Sequence, residues 1–550
     1  MSVFYVSPGV YTVEKNLSQL VPTIATTSAG IAFYSTKGNT NAVTLMSSSQ
    51  QFIAEYGEPT LGNPGHYSAL AYLQNGNQLY CYRVQSGALY GGVNIKSSTS
   101  IQSNAAISTG ASTTDFVVTS GQDNLFQIYG VNPGSWNNNL SIGIANVNVG
   151  PNLSSNAFDI LVFNLINGSY VQVEKWTVSR KQQLDGYGRQ QYLETAINGY
   201  SQYIMVADSS LADSVLPKAQ TYGYNTGVWT GLNMARGSNG TDLIANYSSG
   251  PYQLGWDKFA NPDDIDIRVL IGAGQTATAI QAYITNICET RKDCIAILDI
   301  PDTMTTSVTS MVNWRTGTQN INSSYAALYA PMVKDYDSFN DTIVFLPGSG
   351  YVASQFAYND YVSDVWYAPA GLNRGVLNVL SVCNKNGDRM VFSQGDRDAL
   401  YAAQINPLQV FSGSGNVIWG QKTLTSLPSA LDRVNVRRLL IILEKTMSVS
   451  LKQFVFEPNN DTTRFRITAM LETFLDLLSA KGAFQTELGD KGYVVVCNST
   501  NNTPAIIDRN ELVVDVFVKP SRAAEFLQLN VIVTPTGTSF NELIAQGTIL

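Results

Sequence analysis

The C-terminal part of this chain takes its fold from VNVRRLLIILEKTMSVSLKQFVFEPNNDTTRFRITAMLETFLDLLSAKGAF, residues 434–484. Its apolar residues recur at steps of three and four, which is the spacing of one buried face of an α-helix. Two helices are predicted, because Pro458 ends the first and Asp461 can cap the second. Lys481 and Gly482 then form a helix-stop signal. The predicted buried faces consist of Val436, Leu439, Leu440, Leu443, Met447, Leu451, Phe454 and Val455, and of Ile467, Met470, Leu471, Phe474, Leu477 and Leu478.

The pattern changes from helical to extended after Gly482. Residues 493–497 form an apolar run, and residues 512–518 and 526–533 alternate in side-chain character, which predicts strands. Two helices packed on a small sheet make an α+β unit. Further upstream, residues 264–301 have a strand–helix–strand pattern that predicts an α/β layer. We therefore predict a mixed α+β and α/β multidomain fold.

Several short motifs, in this order, resemble the C-terminal domain of contractile tail sheath proteins. They are Asn-Val-Arg-Arg at 435–438, Phe-Glu-Pro-Asn at 456–459, Lys-Gly-Ala at 481–483, Pro-Ala-Ile-Ile-Asp at 504–508, Leu-Val-Val-Asp-Val at 512–516 and Lys-Pro-Ser-Arg-Ala-Ala-Glu-Phe at 519–526. Such sheaths occur in myovirus-type phages, and related proteins form contractile bacteriocin and type VI secretion sheaths. Shorter pieces upstream, such as Pro-Gly-Ser-Gly-Tyr-Val-Ala at 347–353, also resemble sheath proteins.

Composition divides the rest of the chain. Between Gly91 and Pro251 it is rich in Ser, Asn, Thr and Gly, with short strands predicted at 116–118, 140–144, 158–165 and 170–179. We predict an N-terminal exchange arm at 1–21, a core α/β domain at 22–92 plus 246–400, an inserted β-rich domain at 93–245, an α+β domain at 401–533 and a C-terminal arm at 534–550. The resemblance implies that the inserted domain lies on the outer surface and that the α+β domain faces an inner tube.

The N-terminal arm is dense in apolar and aromatic side chains, and no partner strand lies nearby in the sequence. A strand cannot satisfy its own backbone, so it must join either a sheet of its own subunit or one of a neighbour. The resemblance favours exchange with a neighbour, and the C-terminal strand is expected to do the same. The residues predicted for strand exchange are Val3, Phe4, Tyr5, Val6, Val10, Tyr11, Val13, Phe526, Leu527, Leu529, Val531 and Val533.

Charge and composition exclude several classes of protein. The net charge is −8 and the isoelectric point about 4.9, which argues against a nucleic-acid binder. One histidine, His66, excludes histidine triads and HExxH zinc sites, and the five scattered cysteines indicate reduced, buried thiols. The sequence has no P-loop motif and no run of ~18 apolar residues that could insert into a membrane. We also expect no secretory signal, because MSVFYVSPG lacks a basic start and an apolar core.

The best enzymatic alternative is the turn from Gly272 to Ala277, which follows one predicted strand, with Asp299 at the end of the next. This order loosely fits a dinucleotide fingerprint and would indicate an NAD(P)-binding oxidoreductase. A tight turn between strand and helix is the simpler interpretation. Similarly, Asp263, Asp264 and Asp266 form either a cation site or, more simply, an exposed acidic turn.

Basic residues lie on or near the two C-terminal helices. They are either solvated helix faces or charges that dock on an inner tube, as the resemblance implies. The tube-facing candidates are Arg437, Arg438, Lys445, Lys452, Arg464 and Arg466.

The function that the resemblance implies is structural, without catalysis or cofactors. The subunit is expected in the virion tail sheath after synthesis in the bacterial host cytoplasm. It would polymerise as stacked hexameric rings around the inner tail tube protein, and would contract to drive the tube through the host envelope for genome ejection. The other expected partners are baseplate and tail terminator proteins, with neither nucleic acid nor membrane insertion involved. A surface-layer or adhesin protein would also fit the composition, but it would need an export signal.

Overall fold

The computed structural model describes residues 27–97, 124–148, 156–209, 213–219 and 222–526. Its centre is a nine-stranded sheet with the order β18-β21-β20-β15-β14-β13-β1-β3-β2, in chain-order numbering. These strands are β1 Ala29–Tyr34, β2 Thr44–Met46, β3 Leu79–Val84, β13 Val269–Ile271, β14 Ile295–Asp299, β15 Ala326–Ala330, β18 Val376–Leu377, β20 Ile405–Phe411 and β21 Gly415–Ile418. The pairs from β20 to β3 are parallel, and β2, β21 and β18 are antiparallel at the two sides.

Helices cover both faces of this sheet, which is why β1, β14 and β15 are buried along their whole length. One face packs against α1 Ser49–Tyr56, α2 Pro64–Tyr72 and α7 Ser349–Val362; the other packs against α4 Ser249–Asp257, α5 Thr278–Arg291, α6 Val308–Asn313 and α9 Gln394–Ala402. The predicted strand–helix–strand of residues 264–301 is present as β13, α5 and β14, with the two strands parallel. The short α8, Gly371–Arg374, precedes β18.

The Ser- and Asn-rich segment folds mainly as strands around a core of its own. Its elements are β4 Gly92–Lys96, β5 Asn124–Gly130, β6 Leu140–Ala145, β7 Ala157–Ile166, β8 Ser169–Ser179, α3 Leu193–Ile197, β9 Ile204–Asp208, β10 Tyr224–Asn225, β11 Val228–Trp229 and β12 Leu232–Asn233. They form the sheets β4-β5-β9, β12-β6-β7-β8 and β10-β11. Three of the four predicted strands coincide with β6, β7 and β8, and the one at 116–118 lies outside the described residues.

A buried arginine joins this β-rich unit to the central sheet. Arg83 on β3 donates to the carbonyls of Ser35, Gly38 and Pro133, and the last of these lies in the β-rich unit. A side chain at Gly134 would lie only 2.4 Å from the carbonyl oxygen of Thr36, so glycine permits this close approach. A buried guanidinium is costly without hydrogen-bond acceptors, so the three carbonyls bound by Nε and Nη1 of Arg83 fix the orientation of the joint.

The C-terminal part consists of two long helices on a small sheet, as the sequence predicts. Its elements are α10 Val434–Leu451, α11 Asp461–Ala480, β22 Tyr493–Val496, α12 Pro504–Ile507 and β23 Asp515–Val518. A separate three-stranded sheet outside this part consists of β16 Met332–Asp337, β17 Thr342–Leu346 and β19 Ser381–Cys383. Asn460, and not Asp461, caps α11 by accepting from the amide of Thr463. Val455 and Leu477, predicted to be buried, are exposed, whereas Leu475 is buried.

The boundary predicted at residue 401 is wrong as a structural division. β20 and β21 lie after it, yet both are hydrogen-bonded into the central sheet. The C-terminal helices therefore begin after a long connection that follows Ile418. The sequence prediction missed this because a short strand pair does not reveal which sheet it joins.

Helix α10 lies between two cores and carries buried charges there. Val434 and Ile441 pack in the core of the central sheet, while Leu439 and Leu443 pack against α11. The Arg438 guanidinium donates to Asp360 on α7 at 2.6 Å and lies 4.6 Å from the centre of the Phe356 ring. Burial raises the pKa of Asp360, and the Arg438 charge acts in the opposite direction.

Arg437 and Arg438 are therefore interior groups. Arg437 donates to Ser324 and its guanidinium lies 4.1 Å from the centre of the Tyr325 ring. Burial is the main cause that lowers the pKa of Arg437. These contacts tie α10 to the strand β15 region and to α7, so neither arginine is available to a tube.

Replacing Arg438 by alanine is expected to destabilise the fold by about 3–5 kcal/mol, because Asp360 would remain buried without its cation. Lys452→Ala is a suitable control, since its ion pair with Asp263 is largely exposed and contributes about 0–1 kcal/mol. Urea denaturation followed by tryptophan fluorescence measures both changes. Equal effects of the two substitutions would contradict the structural role of the Arg438–Asp360 pair.

Acidification is expected to weaken the fold through His66. Its ring is buried beside Phe33 and Phe52, its Nε2 lies 3.1 Å from the Ser35 hydroxyl, and burial lowers its pKa to about 4. Because the unfolded histidine titrates near 6.5, the unfolded state binds more protons between pH 6.5 and 4, and stability falls as the pH falls through that window.

At pH 5 this difference corresponds to about 2 kcal/mol, or roughly 2 °C in melting temperature for a chain of this size. His66→Gln removes the titration and keeps a polar group near Ser35. We expect its melting temperature to fall less than that of the wild type between pH 7 and pH 5 in scanning fluorimetry. The same fall in both proteins would rule out His66 as the cause.

Candidate functional site

Two of the basic tube-facing candidates are paired with the acidic turn before β13. The ammonium group of Lys445 lies 2.9 Å from Asp293 and 3.4 Å from Asp266, and that of Lys452 lies 3.2 Å from Asp263. The acidic turn therefore receives cations of this same chain. Within the described ranges, no group of three or more His, Cys, Asp or Glu residues could hold a metal ion.

The beginning of α11 carries the remaining two candidates. The Arg464 side chain is buried, and its guanidinium donates hydrogen bonds to the side chains of Asn459 and Asp461. Arg466 is exposed. Of the six tube-facing candidates, Lys452 and Arg466 are thus the ones whose side chains are mostly open to a partner.

Two aromatic residues beside these cations were missed by the sequence analysis. Phe456 is 102% exposed and Phe465 is 74% exposed. Phe456 also has a φ of 74°, in the left-handed region that a residue with a side chain seldom adopts. Two exposed apolar rings, one of them at a strained backbone position, indicate a contact surface. The available signal was the Phe-Glu-Pro-Asn motif itself, whose phenylalanine follows the end of the helical pattern.

In the turn that suggested a nucleotide site, the acidic residue and the glycines make contacts within the protein itself. The Asp299 carboxylate accepts from the amides of Gly274 and Ser349 and from the Ser349 hydroxyl. A side chain at Gly274 would lie about 3.1 Å from both Pro64 and Pro347. The glycines therefore permit close packing of two neighbouring loops, and Asp299 caps the start of α7. These contacts are those of a tight structural turn.

The small sheet of the C-terminal part has two strands, and within the described residues both of its outer edges are unpaired. The amide of Lys519 donates to the carbonyl of Gly492, so this pair is hydrogen-bonded, and such pairs alternate along an antiparallel ladder. It follows that the backbone groups of Tyr493 and Val495 point outward from β22. Those of Val516 and Val518 point outward from β23.

The two faces of this sheet differ. Tyr493 and Val495 pack against α10 and α11, whereas Val494 and Phe517 are exposed on the opposite face. A sheet of two strands is at best marginally stable alone, so the helices behind it hold it in place. The result is a supported sheet whose outward backbone groups have no backbone partner among the described residues.

The C-terminal segment leaves the body close to this sheet. Ser521 donates its amide to the carbonyl of Ala483, and Glu525 bonds the guanidinium of Arg433 at 2.7 Å. Phe526 is 84% exposed. Of the residues predicted for strand exchange, it is the one that falls in the described part; Val3 to Val13 and Leu527 to Val533 lie outside it.

Among the described helices, none is long and apolar enough to cross a membrane.

Comparison with known families agrees with the resemblance drawn from the motifs. Residues 245–424 match the family model described as the phage tail sheath protein central domain. Residues 426–534 match the one described as the phage tail sheath C-terminal domain. The two models together cover more than half of the chain, and they meet between β21 and α10, where the structure divides.

Individual relatives carry the same description. The tail sheath protein of Enterobacteria phage T4 is 35% identical over 326 residues, which are 56% of this chain and 48% of that protein. The tail sheath protein of Vibrio phage KVP40 is 32% identical over 326 residues, 54% of this chain and 47% of that protein. The chain therefore spans about half the length of the curated relatives that it matches.

Solved structures of low sequence identity share the fold. The sheath tail protein from Listeria innocua has a TM-score of 0.55 at 10% identity, over 91% of this chain and 96% of that chain. The helical sheath of the anti-feeding prophage in its contracted state has a TM-score of 0.54 at 16% identity, over 96% and 99%. Since family models match six of the nine strands of the central sheet and the C-terminal helices, this chain belongs to the phage tail sheath protein family.

Proposed function

We propose that this protein is the structural subunit of a contractile phage tail sheath that assembles as stacked hexameric rings around an inner tail tube. The observation that carries the proposal is the supported two-stranded sheet, β22 and β23, whose two edges are unpaired in the described part of the chain. Open edges are templates for strands from another chain. Membership of the sheath family supplies such chains as further copies of the same protein.

The terminal segments are the strands that we propose to fill these edges. Residues 1–21 and 526–550 are rich in apolar and alternating residues, and one strand on each side would turn the two-stranded sheet into a four-stranded one. Added strands gain main-chain hydrogen bonds along the whole edge. The exposed face with Val494 and Phe517 would be extended by the alternate side chains of the incoming strands.

Contraction requires no bound fuel in this proposal. Subunits rotate and slide as rigid bodies while exchanged strands keep them connected, and the contracted state is favoured because it buries more surface between subunits. This supports penetration of the host envelope by the tube and ejection of the genome. Similar solved structures include an anti-feeding prophage sheath in a contracted state and the baseplate of that particle. The baseplate structure supports a baseplate protein as one partner of this chain. The inner tube and the tail terminator are further proposed partners.

The surface proposed to face the tube is the junction of α10 and α11. Arg466 supplies exposed positive charge there, as does Lys452 through the exposed pair it forms with Asp263, and Phe456 and Phe465 supply apolar contact. Charges at the rim of an interface set association rate and register, whereas aromatic groups at its centre contribute more to affinity. We therefore propose an acidic, partly apolar partner surface on the tube.

Deleting residues 2–18 is expected to leave a folded subunit that does not form tubes, because the donor strand for the neighbour's sheet is lost. Electron microscopy of the purified protein measures assembly, and the melting temperature measures folding. A length-matched variant with residues 2–18 replaced by Gly and Ser controls for chain length and should also fail to assemble. Long hollow tubes from the deletion variant would refute the exchange role of the N-terminal arm.

Reversing the charge at both Lys452 and Arg466 to glutamate is expected to reduce binding to the isolated tube about tenfold or more at low salt, with a smaller effect at high salt. Co-sedimentation with the tube of the same virion gives the measurement. Arg189→Glu, an exposed cation in the β-rich unit, is the matched control and should bind normally. If the double variant binds as well as the wild type at both salt concentrations, the tube contacts another surface.

A further inference from the structure

A single carboxylate holds the last described residues of the chain against the body. Glu525 accepts from Arg433 Nε at 2.7 Å, from Gln421 Nε2 at 3.0 Å and from the Tyr401 hydroxyl at 3.0 Å. One oxygen receives the first two donors and the other receives the third. A carboxylate that accepts from a guanidinium and two neutral donors is a strong, directional contact.

The three donors come from separate elements of the body. Tyr401 lies in α9, Gln421 follows β21, and Arg433 directly precedes α10. Glu525 therefore bridges the central sheet and the C-terminal helices at the point where the two parts meet. Lys422 adds a further positive charge nearby, because its ammonium group lies 4.4 Å from the centre of the Tyr401 ring.

The residues around Glu525 have few other fixed contacts. Ser521 makes a backbone hydrogen bond to Ala483, but none of residues 522–526 makes a backbone hydrogen bond within the described part of the chain. Arg522, Ala523 and Ala524 are exposed, as is Phe526. The side chain of Glu525 is thus the fixed point of this five-residue stretch.

We propose that Glu525 is a latch that fixes where, and in which direction, the C-terminal exchange segment leaves the subunit. The inference rests on the proposed function, because it takes residues 527–550 as a strand donor for a second copy. With the latch closed, the last fixed contact of the described chain lies at Glu525. With the latch open, the last fixed contact is that of Ser521 with Ala483, and the four residues released add up to ~14 Å of reach in any direction.

A longer and undirected tether lowers the concentration of the donor strand at the neighbour's edge. It also increases the chain entropy that is lost when the strand binds. Glu525 thereby acts as a positioning residue for the second copy's sheet. Its partner Arg433, which is also paired with Asp432, provides the matching charge on the body.

The latch can be tested with trypsin, because Arg522 lies next to it and is exposed. In the wild type, the closed latch holds the chain on both sides of the bond after Arg522 and slows cleavage. Glu525→Gln and Glu525→Ala are expected to accelerate cleavage there about tenfold or more, as expected for the loss of a charge-assisted hydrogen bond. The melting temperature should stay close to that of the wild type. Glu511→Ala, which removes an exposed ion pair with Arg509, is the control and should leave the cleavage rate unchanged.

Assembly provides the second measurement. Both Glu525 variants should need a higher protein concentration to form tubes, and the exchange of charges in Glu525→Arg with Arg433→Glu should restore part of the loss. Unchanged cleavage in Glu525→Ala, or normal assembly of that variant while a chain truncated after Phe526 does not assemble, would overturn the latch alone. Normal assembly of the truncated chain would instead overturn the proposed exchange of the C-terminal segment.

Discussion

The buried ion pair between Arg438 and Asp360 fixes how the two main parts of this protein fit together. A guanidinium and a carboxylate lose their hydration in that position, so each is tolerated there only in contact with the other. This permits one placement of α10 against α7, because a shift along the helix would separate the charges. The small sheet rests on α10 and α11, so its open edges also have a defined position relative to the central sheet.

The same requirement explains which features the sequence could predict. Helical spacing identified α10 and α11, because periodicity reports which side of an element faces apolar groups, and Gly482 marked the end of α11. Spacing alone could not place Arg437 and Arg438 inside, since a charged side chain normally indicates solvent. Their partners, Ser324 and Asp360, lie far away in the sequence. Of the six basic residues predicted to face the tube, Lys452 and Arg466 therefore have mostly exposed side chains.

The turn around Gly272 shows the opposite error, in which a local pattern suggests chemistry that tertiary contacts replace. A glycine-rich turn between a strand and a helix, followed by an acidic residue, satisfies the local part of a nucleotide fingerprint. In this fold the same acidic residue caps α7 through Ser349, and the glycines make room for Pro64 and Pro347. A nucleotide site and a structural turn differ here only in which residues from distant parts of the chain contact the turn. The strand pair β20–β21 was misplaced for the same reason.

Under the proposed function, the rigid contacts within the subunit determine where movement between copies can occur. Arg83 fixes the β-rich unit to the central sheet, and Arg438 fixes the C-terminal helices to it, so the body offers few internal places to bend. Movement between copies must then occur in the segments that connect them. A polymer of this kind can change its packing without breaking its strand ladders, provided that each connecting segment keeps one fixed end on its own subunit. The free energy of such a change comes from the surfaces that meet between rigid bodies, because the cores within them are the same before and after.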